Sequence, residues 1–328
     1  MKFDHYDAGA AYYQETGRDI SDEAFTAAGA ADAIFLGAMG LQDVRHPDVT
    51  EIAQNLRMSD VYQLVAGVRH VKADPNTPSR LADPRAAEID FIVLRESTEG
   101  LFYSRDKGEI VDDKVAYETL RISRDVTEQL CDFAFALARR RKQRGGKGQV
   151  TCVDKSNVFR AYAFFRKVFH ERAALNTDIE SNDAYVDAMA LDLIRKPWEA
   201  DVLVMENMFA DILSDLGGGL VGGMGMAPCA EIGNEHALFQ PAHGSAPDIA
   251  GQDKANPTAT ILSGAMMLDW LAQRLDNPKL GEAAELLEGA VSQAFADQAL
   301  RPMEYGGDQG CVEATKAVLG YIGNRTST

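Results

Sequence analysis

Asp211 and Asp215 stand four residues apart in the segment Glu206-Asn207-Met208-Phe209-Ala210-Asp211-Ile212-Leu213-Ser214-Asp215. If that segment is helical from about Phe209, the two carboxylates stack on one face. Like charges at that spacing destabilise a helix and ask for a compensating cation. A hard divalent ion with oxygen ligands, Mg²⁺ or Mn²⁺, suits them better than a soft metal. The plain alternative is that Asp211 caps the helix and Asp215 is merely solvated. A third carboxylate, Asp187, lies in Asn182-Asp183-Ala184-Tyr185-Val186-Asp187-Ala188-Met189-Ala190, a run otherwise rich in apolar residues. It is costly there unless paired, and so is a candidate third ligand. Lys155 could serve as a general acid or base if burial and neighbouring charge adjust its pKa, or simply as a salt-bridge partner.

A second constellation is the loop His243-Gly244-Ser245-Ala246-Pro247-Asp248-Ile249-Ala250-Gly251, which continues to Asn256-Pro257 at a helix start. Its small residues let backbone approach a ligand closely, and the helix beyond offers free N–H groups. Asp248 would accept hydrogen bonds from a ribose diol and repel a 2′-phosphate. Gly217-Gly218-Gly219-Leu220-Val221-Gly222 satisfies G-x-G-x-x-G by letter but follows a helical aspartate pair instead of a strand, so it is rejected as a dinucleotide motif. It is expected to end a helix and supply a flexible turn between lobes.

The elements that must position these residues alternate between short β-rich runs and longer helical patterns, the signature of α/β layering. Apolar runs at 33–38, 89–95, 149–155 and 200–207 predict buried parallel strands. Ligands of open α/β sheets sit outside strand carboxyl ends, which nominates Arg95, Glu96, Lys155, Glu206 and Asn207. Helices are expected over 123–141, 256–275 and 280–300. The basic run Arg139-Arg140-Arg141-Lys142 reads most simply as a helix C-terminus complementing its dipole before a glycine stop.

The chain has 328 residues, 50 acidic and 33 basic, for a net charge of −17. That balance argues against a phosphate-backbone binder, and a local cluster of Arg would be needed to draw in an anionic small molecule. No apolar stretch is long enough to predict a membrane span, and the N-terminus lacks a signal-peptide core. Cys131, Cys152, Cys229 and Cys311 lie far apart with no metal-ligand spacing, and read as reduced thiols of a cytoplasmic protein.

Four motifs in order carry a family resemblance: Val153-Asp154-Lys155-Ser156-Asn157, Tyr185-Val186-Asp187-Ala188-Met189, the 206–215 segment, and the loop from His243 through Asn256-Pro257. They are similar to those of the metal-dependent β-decarboxylating dehydrogenases, the isocitrate/isopropylmalate dehydrogenase family, which includes tartrate and D-malate dehydrogenases. The resemblance covers nearly the whole chain. It implies a two-lobed α/β fold of the isopropylmalate dehydrogenase type, a large sheet flanked by helices and not a Rossmann fold. The lobes expected are 1–64 with 222–328 for the cofactor, and 65–221 for substrate, metal and dimerisation.

The resemblance also implies roles. Asp187, Asp211 and Asp215 would bind Mg²⁺ or Mn²⁺, Lys155 would be the catalytic lysine beside Asp187, and Arg57, Arg69 and Arg95 would hold substrate carboxylates. His243, Gly244, Ser245, Ala246, Asp248, Ile249 and Asn256 would wrap the adenosine half of NAD. An Asp at position 248 goes with NAD, where NADP-dependent isocitrate relatives carry Lys. A homodimer is implied, in which Lys155 and Asp187 of one subunit complete the site of the other.

Departures from the family pattern are specific. Phe102 aligns with the catalytic tyrosine of relatives, and Tyr103 is one place later; a shifted loop would make Tyr103 the acid. Arg57 to Arg69 is a longer spacing than usual, and Gln240 stands where Glu is commoner. The chain opens at what looks like the second strand, Lys2-Phe3-Asp4-His5-Tyr6-Asp7, roughly three dozen residues into the family pattern, so a truncated start is expected. The expected reaction is NAD-dependent oxidation and β-decarboxylation of a 2-hydroxy di- or tricarboxylic acid. Gly40-Leu41-Gln42-Asp43-Val44-Arg45-His46-Pro47, polar where relatives read the substrate's variable group, leaves tartrate or D-malate as alternatives and isocitrate possible through Arg45. A catalytically degraded ligand-binding homologue is the alternative from outside enzymology.

Overall fold

The computed structural model describes residues 1–47, 50–105 and 107–325. In chain order these form α1 (Ala10–Thr16), α2 (Asp22–Ala30), β1 (Ile34–Phe35), α3 (Gln54–Val61), β2 (Ala66–Lys72), β3 (Asp90–Glu96), β4 (Glu109–Val111), β5 (Val115–Tyr117), α4 (Arg124–Gln143), β6 (Gln149–Asp154), α5 (Arg160–Ala173), β7 (Glu180–Tyr185), α6 (Val186–Arg195), β8 (Val202–Met205), α7 (Asn207–Leu220), β9 (Pro228–Ile232), β10 (Ala237–Pro241), α8 (Thr258–Arg274), α9 (Pro278–Ala296) and α10 (Cys311–Arg325). The architecture is mixed α/β and divides into two compact units. One holds Met1–Leu64, Asp74–Thr77 and Gly223–Thr328; the other holds Val65–Ala73 and Pro78–Gly222.

The second unit contains the strand ends nominated above. Its strands run β2-β3-β8-β6-β7, with β2 antiparallel to β3 and the rest parallel. The parallel strands are covered by α4, α5, α6 and α7, so β8 and most of β3 and β6 are fully buried apolar sequence, as two-faced coverage demands. Val71, Phe91, Val93, Leu203, Met205, Leu213 and Leu193 form one core cluster. Parallel register puts the carboxyl ends of β3, β8, β6 and β7 at one edge: Arg95 pairs with Met205, Val153 with Met205, and Asp154 with Tyr185.

The first unit has strands in the order β1-β10-β9, with α8 against β9 and β10 and α9 against α8. Its local stops and starts follow capping chemistry: the Ser21 hydroxyl accepts from Ala24 N at 3.0 Å with Asp22 and Glu23 in the first turn of α2, and Asn277 caps α9 ahead of Pro278.

Several expectations need correction. The strand expected over 33–38 is reduced to Ile34 and Phe35, parallel to β10 and with Phe35 exposed, because among the described residues it pairs on one side only. Residues 2–7 form no strand and are exposed, Phe3 and Tyr6 among them. The glycine-rich run Gly217–Gly222 ends its helix and supplies the turn, as expected, with α7 stopping at Leu220, although its first three glycines stay helical. Gly217, Gly218 and Gly219 lie inside α7, and the turn comes at Gly222 and Gly223, both at positive φ. A Cβ on Gly217 would approach Val71 Cγ2 to 2.7 Å, so this glycine lets the helix settle on β2. The basic run does lie at the C-terminus of α4 ahead of Gly145, as expected, and it also makes specific pairs: Arg139 with Asp178, and Arg141 with Asp201 and Asp90. No helix among the described residues is long and apolar enough to cross a membrane. The four cysteines are free, three of them buried.

The turn after β3 is built on a buried acid. Glu96 accepts from Thr98 N and Thr98 Oγ1, both at 2.6 Å, and from Glu99 N at 2.7 Å. Burial nevertheless pushes its pKa up to about 7, against the pull of those donors.

Two stability predictions follow from these contacts. Gly217→Ala should destabilise the fold by about 1–3 kcal/mol through overpacking on Val71, whereas Gly219→Ala, which meets nothing within 4 Å, should stabilise by about 0.5–1 kcal/mol. Urea denaturation of both variants checks the contrast. Because Glu96 holds its proton in the folded chain above the pH at which the unfolded chain releases it, its contribution is full below about pH 4.5 and declines as pH rises to about 7. Glu96→Gln should flatten that decline by at most about 3 kcal/mol, read from urea midpoints at pH 5, 6, 7 and 8.

Candidate active site

At the strand-end edge of the second unit, Arg95 is one residue short of the end of β3 and largely buried. Its Nε donates to Asn207 Oδ1 at 2.9 Å, its Nη1 pairs with Asp211, and its guanidinium lies 5.2 Å from the Phe102 ring centroid. α7 presents Asp211 because Glu206, not Asp211, caps it: the Glu206 carboxylate accepts from Met208 N at 3.1 Å and Phe209 N at 3.2 Å. Tyr162 of α5 donates its hydroxyl to the same carboxylate at 3.1 Å. Burial raises the Glu206 pKa despite these donors.

Asp211 and Asp215 share the exposed face of α7. The Asp215 pKa is raised, first by partial burial and then by the charge of Asp211, while Arg69 and Arg95 oppose the rise. Both predicted substrate arginines of this unit therefore act on the aspartate pair. Burial and the neighbouring Asp211 together outweigh the two arginines at Asp215.

Lys155 follows the last residue of β6, and Asp187 is the second residue of α6, just beyond β7. The two form an ion pair, and the lysine's hydrogen bond holds the Asp187 carboxyl below its ordinary pKa. Asp187 is exposed, not enclosed by its apolar neighbours. The three aspartates are thus drawn into two groups, and among the described residues no three His, Cys, Asp or Glu side chains of one chain gather to hold a metal.

Phe102 and Tyr103 lie in a 3₁₀ turn at Leu101–Ser104. Phe102 is the ring beside Arg95, whereas Tyr103 lies under Lys107 at 4.2 Å and Arg121 at 4.7 Å. Arg121 also pairs with buried Glu99 at 3.1 Å. Of the polar strand ends, Glu96 and Glu206 serve turns and caps, and Asn207 orients Arg95. Sequence reasoning missed Tyr162 and the buried Asp154–Arg166 pair, whose Nε to Oδ2 distance is 2.7 Å; an Arg twelve residues along on a helix carries no sequence signal for that pairing.

In the first unit, the loop after β10 is tied to its own neighbours. Ser245 N donates to Met39 O at 3.1 Å, and the Ser245 hydroxyl donates to Gly40 O. Ala246 sits at φ 45°, Pro247-Asp248-Ile249 form a 3₁₀ turn, and the Asp248 side chain is exposed. His243 Nδ1 lies 2.9 Å from Gly244 O, and His243 Nε2 is buried without a hydrogen-bond partner. Asn256 accepts from Thr258 N and Oγ1 at 3.1 and 2.7 Å and donates to Glu304 at 2.9 Å, so it fastens the start of α8. Arg57 pairs with Asp19 at 3.5 Å and stacks 4.6 Å from the Phe25 ring.

A profile of the isocitrate/isopropylmalate dehydrogenase family matches residues 1–318. The chain is 40% identical over 298 residues to a 3-isopropylmalate/3-methylmalate dehydrogenase of Methanocaldococcus jannaschii, covering 90% of this chain and 83% of the relative. It is 36% identical to a 3-isopropylmalate dehydrogenase of Methanothermobacter thermautotrophicus, covering 98% and 90%. The crystal structure of isocitrate dehydrogenase from Methylococcus capsulatus superposes with a TM-score of 0.83 at 30% identity, covering 96% of this chain and 88% of that one. With the paired aspartates of α7, the strand-end lysine and the His243 loop in place, the chain belongs to the isocitrate/isopropylmalate dehydrogenase family.

Proposed function

We propose that this protein oxidises a 2-hydroxy dicarboxylic acid of the 3-isopropylmalate type with NAD⁺, with loss of the β-carboxylate as CO₂. The observation that carries the reading is the pair of charge clusters at one strand-end edge: Arg95, Asp211 and Asp215, and Lys155 with Asp187. Two carboxylates one helical turn apart on an exposed face fit a divalent cation, and their donor set is the all-oxygen one that Mg²⁺ and Mn²⁺ prefer. Asp211 and Asp215 would hold the ion, with Asp187 supplied by a second copy. When bound, the ion supplies Lewis acidity toward the substrate's hydroxyl, and NAD⁺ supplies the hydride acceptor.

The chain's own residues do the rest. Arg95 and Arg69 present guanidinium forks to substrate carboxylates, and Asn207 keeps the Arg95 fork oriented through Nε. Lys155 would first release its ammonium proton to solvent and then, as the neutral amine, take the hydroxyl proton as hydride leaves C2, with Asp187 holding the lysine for that transfer. After CO₂ departs, a proton must return to C3, and Tyr103 is the donor proposed. Asp248, exposed on its turn, would take the ribose diol of NAD⁺ and disfavour a 2′-phosphate.

A homodimer is part of the reading. The β4–β5 hairpin has all six of its residues exposed, including Ile110 at 75% and Tyr117 at 60%. A two-stranded hairpin is marginal without a partner. Leu191 and Ile194 on α6 and Ile212 on α7 leave further apolar surface uncovered. The substrate choice rests on the loop at Leu41–Arg45. Arg45 donates to Leu41 O at 2.8 Å and Val44 O at 3.1 Å, so it is held by its own loop and is poorly placed to recruit a third carboxylate. Tartrate or D-malate oxidation is the second reading, favoured by the other polar residues of 40–47.

Purified protein with Mn²⁺ and NAD⁺ is expected to generate NADH absorbance with 3-isopropylmalate more readily than with D-malate, tartrate or isocitrate, and more readily than with NADP⁺. A tartrate or D-malate preference would select the second reading, and silence across the panel in folded protein would sink the enzyme assignment. Asp215→Asn should weaken Mn²⁺ binding by about 10–100-fold, followed by electron paramagnetic resonance. Tyr103→Phe should lower kcat by about 10²-fold; a wild-type rate would move the proton donor elsewhere, and a gain from Phe102→Tyr would place it beside Arg95.

A further inference from the structure

We propose that Arg166, which touches neither Lys155 nor Asp187, is a positioning residue that sets the one against the other. The inference rests on the functional reading above for the importance of that pair, and on geometry alone for the positioning. Arg166 lies midway along α5, and its guanidinium has three neighbours. Nε and Nη2 donate to the two oxygens of Asp154 at 2.7 and 2.9 Å. Nη1 lies 3.8 Å from Asp183 Oδ2. The guanidinium carbon is 5.0 Å from the centroid of the Tyr185 ring.

Those neighbours belong to the two strands whose ends carry the pair. Asp154 is the last residue of β6 and immediately precedes Lys155; Tyr185 ends β7, caps α6, and precedes Asp187 by two residues. Asp154 and Tyr185 are register partners. Asp154 is fully buried, and its Oδ1 also accepts from Ser156 N at 2.7 Å. The carboxylate therefore closes the turn around Lys155 on both sides, while Lys155 O accepts from Val158 N and Phe159 N at 3.0 and 3.2 Å.

Neutralising Asp154 would need only the bidentate contact. The reach to Asp183 and the stacking on Tyr185 are additional, and they join β7 to β6 at the level of the pair. A planar fork that also stacks can serve all three neighbours at once, and a lysine ammonium cannot. A displacement of about 1 Å between reacting groups costs on the order of 10²-fold in rate, so a brace across the two strand ends has a kinetic consequence beyond stability.

The test compares Arg166→Lys, which keeps a charge for Asp154, with the double variant Asp183→Asn/Tyr185→Leu, which keeps the buried pair and removes the link to β7. Both should lower kcat, by about 10–100-fold and several-fold respectively, with KM for hydroxy acid and for NAD⁺ changed by less than about threefold. A second readout needs neither metal nor cofactor: labelling of Lys155 by trinitrobenzenesulfonate, quantified by peptide mass against exposed Lys114, should rise several-fold in both variants, as is expected also of Asp187→Asn. Wild-type kcat and labelling in folded Arg166→Lys would overturn the proposal and leave Arg166 as a counter-ion. Should that variant fail to fold, the same result in the double variant overturns it equally. An unchanged kcat in Lys155→Ala would refute the functional reading, while the labelling still decides whether Arg166 positions the pair.

Discussion

Parallel strands β3, β8, β6 and β7, the first three buried between helices and β7 exposed, release their chains at one edge of the sheet, and at that edge each departing backbone has to turn. Four carboxylates make those turns possible. Glu96 gathers the N–H groups after β3, Glu206 caps the helix after β8, and Asp154 accepts from Ser156 N after β6. Glu99, a little further on, accepts from Ser123 N at 2.7 Å. Acidic side chains are well suited to this because one carboxylate can accept several backbone donors. The consequence is an edge dense in negative charge, and the arginines and the lysine found there are the answer to it.

Two of those cations differ in what they leave available. Arg166, partly buried, spends its guanidinium on Asp154, Asp183 and Tyr185, none of them a proposed site residue. Arg95 is tied through Nε to Asn207 and through Nη1 to Asp211, so an incoming anion or cation competes for the same groups. Rigid braces behind and exchangeable pairs in front suit a catalytic constellation, which needs fixed backbone and replaceable counter-ions.

Much of this was legible in the sequence because its signals are local. Apolar runs ended by charge marked β3, β6 and β8, and the i, i+4 aspartates on α7 follow from helix periodicity alone. What failed was non-local. The strand at 33–38 shrank to Ile34 and Phe35 because pairing on one side, not apolarity, decides how much of an apolar run becomes strand. The glycine-rich run ends α7 and makes the turn as expected, but that Gly217–Gly219 themselves stay helical, with Gly217 packed against Val71, depends on a tertiary contact that overrides a weak propensity. Asp187 looked like a buried carboxylate in an apolar helix, yet it faces outward to Lys155, since only one face of α6 reaches the core. Tyr103 and Phe102 differ by one position in sequence but meet different cations, a distinction that depends on a 3₁₀ turn.

Electrostatics explains why the two pairs stay apart within one chain. Bringing Asp187 beside Asp211 and Asp215 would place three carboxylates together, which is unfavourable without a divalent ion. In the single chain each aspartate group instead takes the nearest cation, Arg95 for Asp211 and Lys155 for Asp187. On the proposed function, the Arg95–Asp211 and Lys155–Asp187 pairs would be the resting arrangement of a site completed by a second copy. Metal and a second copy would enter as linked ligands, because each relieves the repulsion that opposes the other.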